Sequence, residues 1–261
     1  LGCDATRSRV SFAWQALARI EAPDLNHWFK QGLLEIAPVA FEIGASVARL
    51  QALTFQGFGA LERDERQPSE GTDNELRGAH DSYIAYHYLR LEEHLTFLVK
   101  SGFLTAEQAK AMLAEIERHQ TLLRLEQGCL VHKDLALWNI LGTPGKIAAF
   151  IDFDDAISGD AMDDLSLLAC FHDAAFLQHA VEGYQSIRPL PADHRHRFWL
   201  HLLRNMIVKS VIRCGAGYFE RDSGFFLIGS GSSGADLRRF TLQRLFKALQ
   251  CLRDGLCWRR R

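Results

Sequence analysis

Between positions 132 and 155 the chain reads His132-Lys133-Asp134, then Asn139, then Ile151-Asp152-Phe153-Asp154-Asp155. One carboxylate and one amide oxygen, Asp152 and Asn139, make a sparse oxygen site. Such a site suits a magnesium ion that keeps waters and takes its remaining ligands from phosphates. The second carboxylate, Asp134, is then free to orient a hydroxyl and accept its proton as it attacks phosphorus. Residue types and spacing point to metal-assisted phosphoryl transfer, with Asp134 and its neighbours His132 and Lys133 as the catalytic segment.

Short strands must position these groups. Apolar runs at 129–132, 139–141 and 147–151 surround a Thr143-Pro144-Gly145-Lys146 turn, which reads as a β-hairpin. Closing the hairpin there sets Asn139 opposite Phe150 and leaves Asp152 one side-chain period, about 7 Å, further along. Both side chains then emerge at the same end of the ribbon, within reach of Asp134. Asp154 and Asp155 either widen the metal site or line an acidic substrate pocket; the alternative is exposed turn carboxylates.

At these residues the segment 131–168 resembles the aminoglycoside phosphotransferase and choline kinase group, which shares the protein-kinase fold. Its catalytic loop reads His-Gly-Asp with Asn five residues on, then Ile-Asp-Trp or Ile-Asp-Phe, then Gly-Asp and Asp-Leu. Here those are His132-Lys133-Asp134, Asn139, Ile151-Asp152-Phe153, Gly159-Asp160 and Asp164-Leu165. The stretch 44–59, ending in a Phe-Gly phrase, also looks like that family's helix. The resemblance implies Asp134 as catalytic base or hydroxyl-orienting group, and Asn139 and Asp152 as ligands of the nucleotide's Mg2+. It also implies structural roles for His132 and Asp164, and a place for Asp160 on the substrate side. Lys133 stands where Gly is common, so that its ammonium either touches the transferred phosphate or points to solvent; Ala161 replaces a usual Pro.

The surrounding elements read as helices. An amphipathic helix starts near Pro38, and 57–74 is a polar loop. Asp81 or Ser82 caps a helix with the stripe Ile84, Tyr88, Leu91, Leu95 and Leu98. Thr105 and Gln108 make a capping box for the next, which packs antiparallel to it. Later helices fall near 163–184, 193–212 and 236–252, with a Gly/Ser loop at 229–234. His194, His196 and His201 read as a solvated helix face, Asp173, Glu220 and Asp222 as surface charge, and Phe198, Trp199 and Phe240 as core.

Alternation over 10–20 resembles the last strand of a kinase N-terminal lobe, and 19–22 the hinge that meets adenine, which places Arg19, Ile20 and Glu21 against the nucleotide. A phosphate-covering Gly loop, its strand Lys and the pairing Glu are not visible. Residue 1 is Leu, and the encoded start is expected upstream. The fold expected is α+β and protein-kinase-like: a mostly helical C-terminal lobe over 23–261 with a small β-hairpin catalytic region, and only a remnant of the nucleotide-binding lobe over 1–22.

Composition narrows the rest. The 261 residues carry 30 Lys+Arg against 32 Asp+Glu, with 48% hydrophobic residues, which excludes disorder and rod-like folds. Net charge near zero gives no field for nucleic acid, and no apolar run is long enough to span a membrane. The six scattered cysteines read as core thiols of a cytoplasmic protein. The function expected is a kinase moving the γ-phosphate of ATP or GTP to a hydroxyl of a small, cationic, aminoglycoside-like substrate. A non-catalytic kinase-like binding module and a metal-dependent phosphate-ester hydrolase stand as alternatives.

Overall fold

A computed structural model describes residues 18–63, 76–222 and 231–255, together with the backbone of two short paired strands, β1 (Gly2–Asp4) and β2 (Trp14–Ala16). The rest of the alternation at 10–20 falls outside the described residues except for 18–20, which are exposed coil.

Asp24 accepts from the backbone N–H of His27 and so caps α1 (Leu25–Lys30). The helix α2 (Ile36–Leu50) buries Val39, Ile43 and Val47, the one-face pattern that makes an amphipathic helix pack. The helix ends at Leu50 rather than just before Gly57, and β3 (Thr54–Phe55) follows. Of the polar loop expected over 57–74, the described part forms β4 (Phe58–Arg63), 64–74 lie outside the described residues, and β5 (Leu76–His80) comes next. The pairing partners of β4 lie in distant sequence, at β5 and at β9 below; local polarity carries no sign of them.

Ser82 caps α3 (Tyr83–Tyr88), and α4 (Leu91–Lys100) follows. The continuous stripe that suggests one helix is interrupted because Arg90 takes a left-handed backbone, φ 57°. The Arg204 guanidinium donates to the carbonyls of His87 and Leu89 at 2.9 and 2.8 Å, so the end of α3 is closed by a side chain from elsewhere. The Thr105–Gln108 capping box forms as expected at the start of α5 (Ala106–Arg118).

Next come β6 (Gly128–Val131), β7 (Ile140–Thr143), β8 (Lys146–Phe150) and β9 (Ile157–Gly159). The strands β3-β6-β9-β4-β5 form one antiparallel sheet, and β7-β8 a separate hairpin. The hairpin register differs by one from expectation. Ile140, rather than Asn139, pairs with Phe150, and a bulge lies between Leu141 and Gly142. Asn139 itself closes a 3-10 turn over Leu137–Asn139.

The helices α6 (Met162–Leu168), α7 (Ala174–Gln185), α8 (His194–Gly215) and α9 (Gly234–Asp254) complete the chain. Phe198 and Trp199 are buried, as are Cys129, Cys170 and Cys251. No helix among the described residues is long and apolar enough to cross a membrane.

The tightest junction is α2 against α7. A methyl at Gly44 would overlap the carbonyl of Ala180, and one at Gly183 the carbonyl of Phe41. Two glycines thus let the backbones of α2 and α7 touch. Gly183→Ala should destabilise the protein by about 1–3 kcal/mol or more, read as a lowered urea midpoint at unchanged slope. An unaltered midpoint would show that the helices can part at no cost.

Candidate active site

The catalytic segment leaves β6 through His132, which is buried and sends Nε2 to the carbonyl of Ile151 at 2.9 Å. That bond makes Nε2 the protonated nitrogen, and Nδ1 accepts from the backbone N–H of Asp134 at 3.4 Å. Asp164, at the start of α6, accepts from the backbone N–H groups of His132 and Lys133 at 2.9 and 3.0 Å. A buried carboxylate receiving two backbone donors fixes the loop's path.

Lys133 neither points to solvent nor stands free for a phosphate. Its ammonium donates to both oxygens of buried Asp163 at 2.9 and 2.7 Å and to Oδ1 of Asn205 at 2.9 Å. Its backbone lies at φ 70°, the left-handed region that glycine adopts freely, which explains why Gly is common at this position of the pattern. Asp163 also accepts from Tyr83 Oη and Asn205 Nδ2.

Asp134 follows directly. One carboxylate oxygen accepts from the Lys209 ammonium at 2.8 Å, the other from Asn139 Nδ2 at 3.0 Å, and the same amide nitrogen holds the Asp134 carbonyl at 2.8 Å. Each carboxylate oxygen has two lone pairs, so a hydroxyl can still approach. Ile151 donates its backbone N–H to the carbonyl of Asn139 at 3.0 Å, which brings Asp152 beside Asn139. Asp152 is exposed and left-handed at φ 64°.

The remaining expected residues divide. Asp154 and Asp155 are exposed and line a cleft of about 310 Å³ with Lys133, Asn205 and Lys209. Asp160 is not at the acceptor side. It is buried, accepts from the Met162 N–H and is paired with Arg197 at 2.6 Å, with His201 Nε2 3.1 Å away. His201 is accordingly in the interior rather than on a solvated face. Arg19, Ile20 and Glu21 are exposed coil, and the segment just after them is tied to β7 by the Gly142 N–H to the Pro23 carbonyl and the Asp24–Leu141 bridge. Asp173 caps α7. Among the described residues no three His, Cys, Asp or Glu side chains gather to hold a metal, so any ion here has a sparse protein ligand set.

Sequence reasoning missed what α8 contributes. Arg197, His201, Asn205 and Lys209 recur every fourth residue on that helix, which puts them on one face. They meet Asp160, Asp163 and Asp134 in turn. The recurrence of polar residues at every fourth position, 197, 201, 205 and 209, is the available signal.

A family model described as the phosphotransferase enzyme family matches residues 35–199. No curated protein matches the sequence. Among solved structures, a candidate fructosamine-3-kinase from Thermobifida fusca is 19% identical and covers 88% of this chain and 69% of its own, with a TM-score of 0.51. A thermostable mutant of the aminoglycoside phosphotransferase APH(4)-Ia in its apo form is 16% identical over 91% of this chain and 71% of its own, TM-score 0.58. A further variant of that protein, in ternary complex with AMP-PNP and hygromycin B, is 15% identical over 89% and 70%, TM-score 0.58. At these identities the likeness is one of fold.

Burial alone would raise Asp163, but the Lys133 ammonium, with His201 and Asn205, holds it far below the usual carboxylate range. Asp160 is likewise lowered, burial being outweighed by His201 and Arg197. For a depressed carboxylate the stabilisation is present above its unfolded value, about pH 4, and is lost as pH falls through the folded value. Lys133→Met should therefore cost about 3–5 kcal/mol at neutral pH, because it leaves Asp163 buried without its cation. It should also shrink the loss of stability between about pH 4 and pH 2. Urea titrations of both proteins across that range check this; a variant as stable as wild type would refute the pairing.

Proposed function

The chain belongs to the phosphotransferase enzyme family, and on that premise we propose that it is a small-molecule kinase that moves the γ-phosphate of a nucleoside triphosphate, ATP or GTP, to a hydroxyl of a small acceptor. The observation that carries the reading is Asp134, held between Lys209 and Asn139 at the end of a braced loop, with Asp152 beside Asn139.

In this reading Asp134 receives the acceptor hydroxyl, orients its oxygen toward phosphorus and takes the proton as the bond forms. Lys209 and Asn139 keep its carboxylate from rotating away. Asn139 directs its amide nitrogen to Asp134 and leaves Oδ1 without a donor among the described residues, while Asp152 is exposed and forms no ion pair among them. One amide oxygen and one carboxylate are hard donors that fit magnesium, and these two residues would hold it. When bound, the ion would neutralise charge on the phosphates. Arg19, Ile20 and Glu21 are assigned to the nucleotide's base, with support from their place beside β7.

Asp154 and Asp155 at the cleft mouth favour a cationic group at that end of the acceptor, as an aminoglycoside would present. The complex of the similarly folded APH(4)-Ia variant with AMP-PNP and hygromycin B supports a nucleotide and a small hydroxyl-bearing molecule as partners.

Calorimetry of the full-length protein with ATP should show binding that strengthens with magnesium. Asp152→Asn should weaken that magnesium-dependent binding by about tenfold or more. Turnover against a panel of aminoglycosides, choline and hydroxy acids then identifies the acceptor. Absence of both nucleotide binding and turnover on every compound of that panel would overturn the proposal.

A further inference from the structure

The catalytic segment adjoins a second, more enclosed space. A cavity of about 330 Å³ between α3, the start of α4 and α8 is lined by Tyr86, His87, Arg90, His94, Lys133 and Arg204 among others. That volume is at the lower end of small-molecule sites, about 300–1,000 Å³. It shares Tyr86, Lys133, Asn205 and Val208 with the cleft that Asp154, Asp155 and Lys209 line. Lys209 is the residue that holds Asp134. A molecule whose hydroxyl reaches Asp134 therefore has this cavity open beside it.

Its charges do not cancel. Lys133 is neutralised by Asp163, and His201 sits against Asp160. Arg204 and Arg90 have no carboxylate partner among the described residues: Arg204 donates to the carbonyls of His87 and Leu89, with Nη1 3.3 Å from His94 Nδ1. Neutral oxygens satisfy the guanidinium's geometry without removing its charge, which leaves an anion-attracting field in a site partly shielded from water.

A second observation points to a ligand. His87 is 3% exposed and lines the cavity, yet neither ring nitrogen has a hydrogen-bond partner. Buried polar atoms are nearly always paired in folded proteins, so an orphaned ring facing a cavity marks a place for a polar group from outside. Burial, His201 and Arg204 hold the imidazole well below its usual value. The ring is therefore neutral and offers one donor and one acceptor.

We propose that this cavity takes the anionic group, carboxylate or phosphate, of the acceptor, and that the substrate is accordingly a hydroxyl-bearing organic acid or sugar phosphate rather than a molecule cationic throughout. The inference rests on the kinase reading for the identity of the ligand as acceptor. Any amine the acceptor carries belongs at the other end, against Asp154 and Asp155.

The test is calorimetric titration of the full-length protein, with magnesium and a non-hydrolysable ATP analogue, by gluconate, glucose 6-phosphate, glucose and glucosamine. At least one anion should bind about tenfold or more tightly than glucose and more tightly than glucosamine, and the preferred anion tells carboxylate from phosphate. Arg90→Gln and Arg204→Gln should remove the preference and Arg204→Lys should keep it; Arg90, exposed at the rim, guards against misfolding of the Arg204 variants. The proposal is overturned if glucosamine binds more tightly than both anions, if no anion preference is measured, including by absence of binding, or if the preference survives in both Gln variants. Binding of the ATP analogue, measured in a separate titration of the protein and magnesium, separates the two readings. Its loss with the anion preference intact sinks the kinase assignment alone, and the reverse sinks only the cavity.

Discussion

A carboxylate removed from water must be met by a cation or by several donors, and three aspartates around the catalytic loop impose that demand on the rest of the molecule. Asp160 and Asp163 are buried and Asp134 is three-quarters so. Their partners come from one face of α8: Arg197 and His201 for Asp160, Asn205 for Asp163, Lys209 for Asp134. The loop itself adds Lys133 for Asp163 and Asn139 for Asp134, and α3 adds Tyr83 for Asp163. The long helix is thereby registered against the loop to within one turn, since a shift along its axis would strand several charges together. Asp164 meets the same demand from the backbone, by receiving two N–H groups of the loop.

Once these pairs are made, the loop has little freedom left. Lys133 and Asp152 both sit in the left-handed region, conformations that cost a residue with a side chain about 1–2 kcal/mol. The Lys133–Asp163 ion pair and the Ile151–Asn139 hydrogen bond offset that cost. Strain of this kind at functional positions is tolerated where the surroundings over-determine the backbone. Here the result is an Asp134 carboxylate aimed by Lys209 on one oxygen and Asn139 on the other.

Much of this was legible in the sequence, and the limits have physical causes. The grouping of His132, Asp134, Asn139 and Asp152 was legible because most of it is local: the loop and the hairpin carry the contacts that bring those residues to one place. The capping box at Thr105 and Gln108 and the apolar stripe of α2 are equally local. What failed depends on long-range partners. The hairpin register slipped by one because Asn139 is held by Asp134 and Ile151 in a tight turn instead of pairing as a strand residue. The helix expected from 84 to 98 breaks because Arg204, more than a hundred residues later, closes α3. Asp160 looked like a substrate ligand because nothing near it in sequence shows that Arg197 and His201 enclose it. Strand β4 was hidden for the same reason, its partners lying elsewhere in the chain.

The central claim is that Asp134 acts on the acceptor hydroxyl while Asn139 and Asp152 serve the nucleotide, and turnover in Asp134→Asn tests it most directly. Phosphate transfer from ATP to the acceptor, followed by phosphorus NMR alongside calorimetric nucleotide binding, should fall by at least about a hundredfold in that variant. Its affinity for the magnesium nucleotide should stay within a few-fold of wild type. Transfer at the wild-type rate with Asn at 134 would contradict the account.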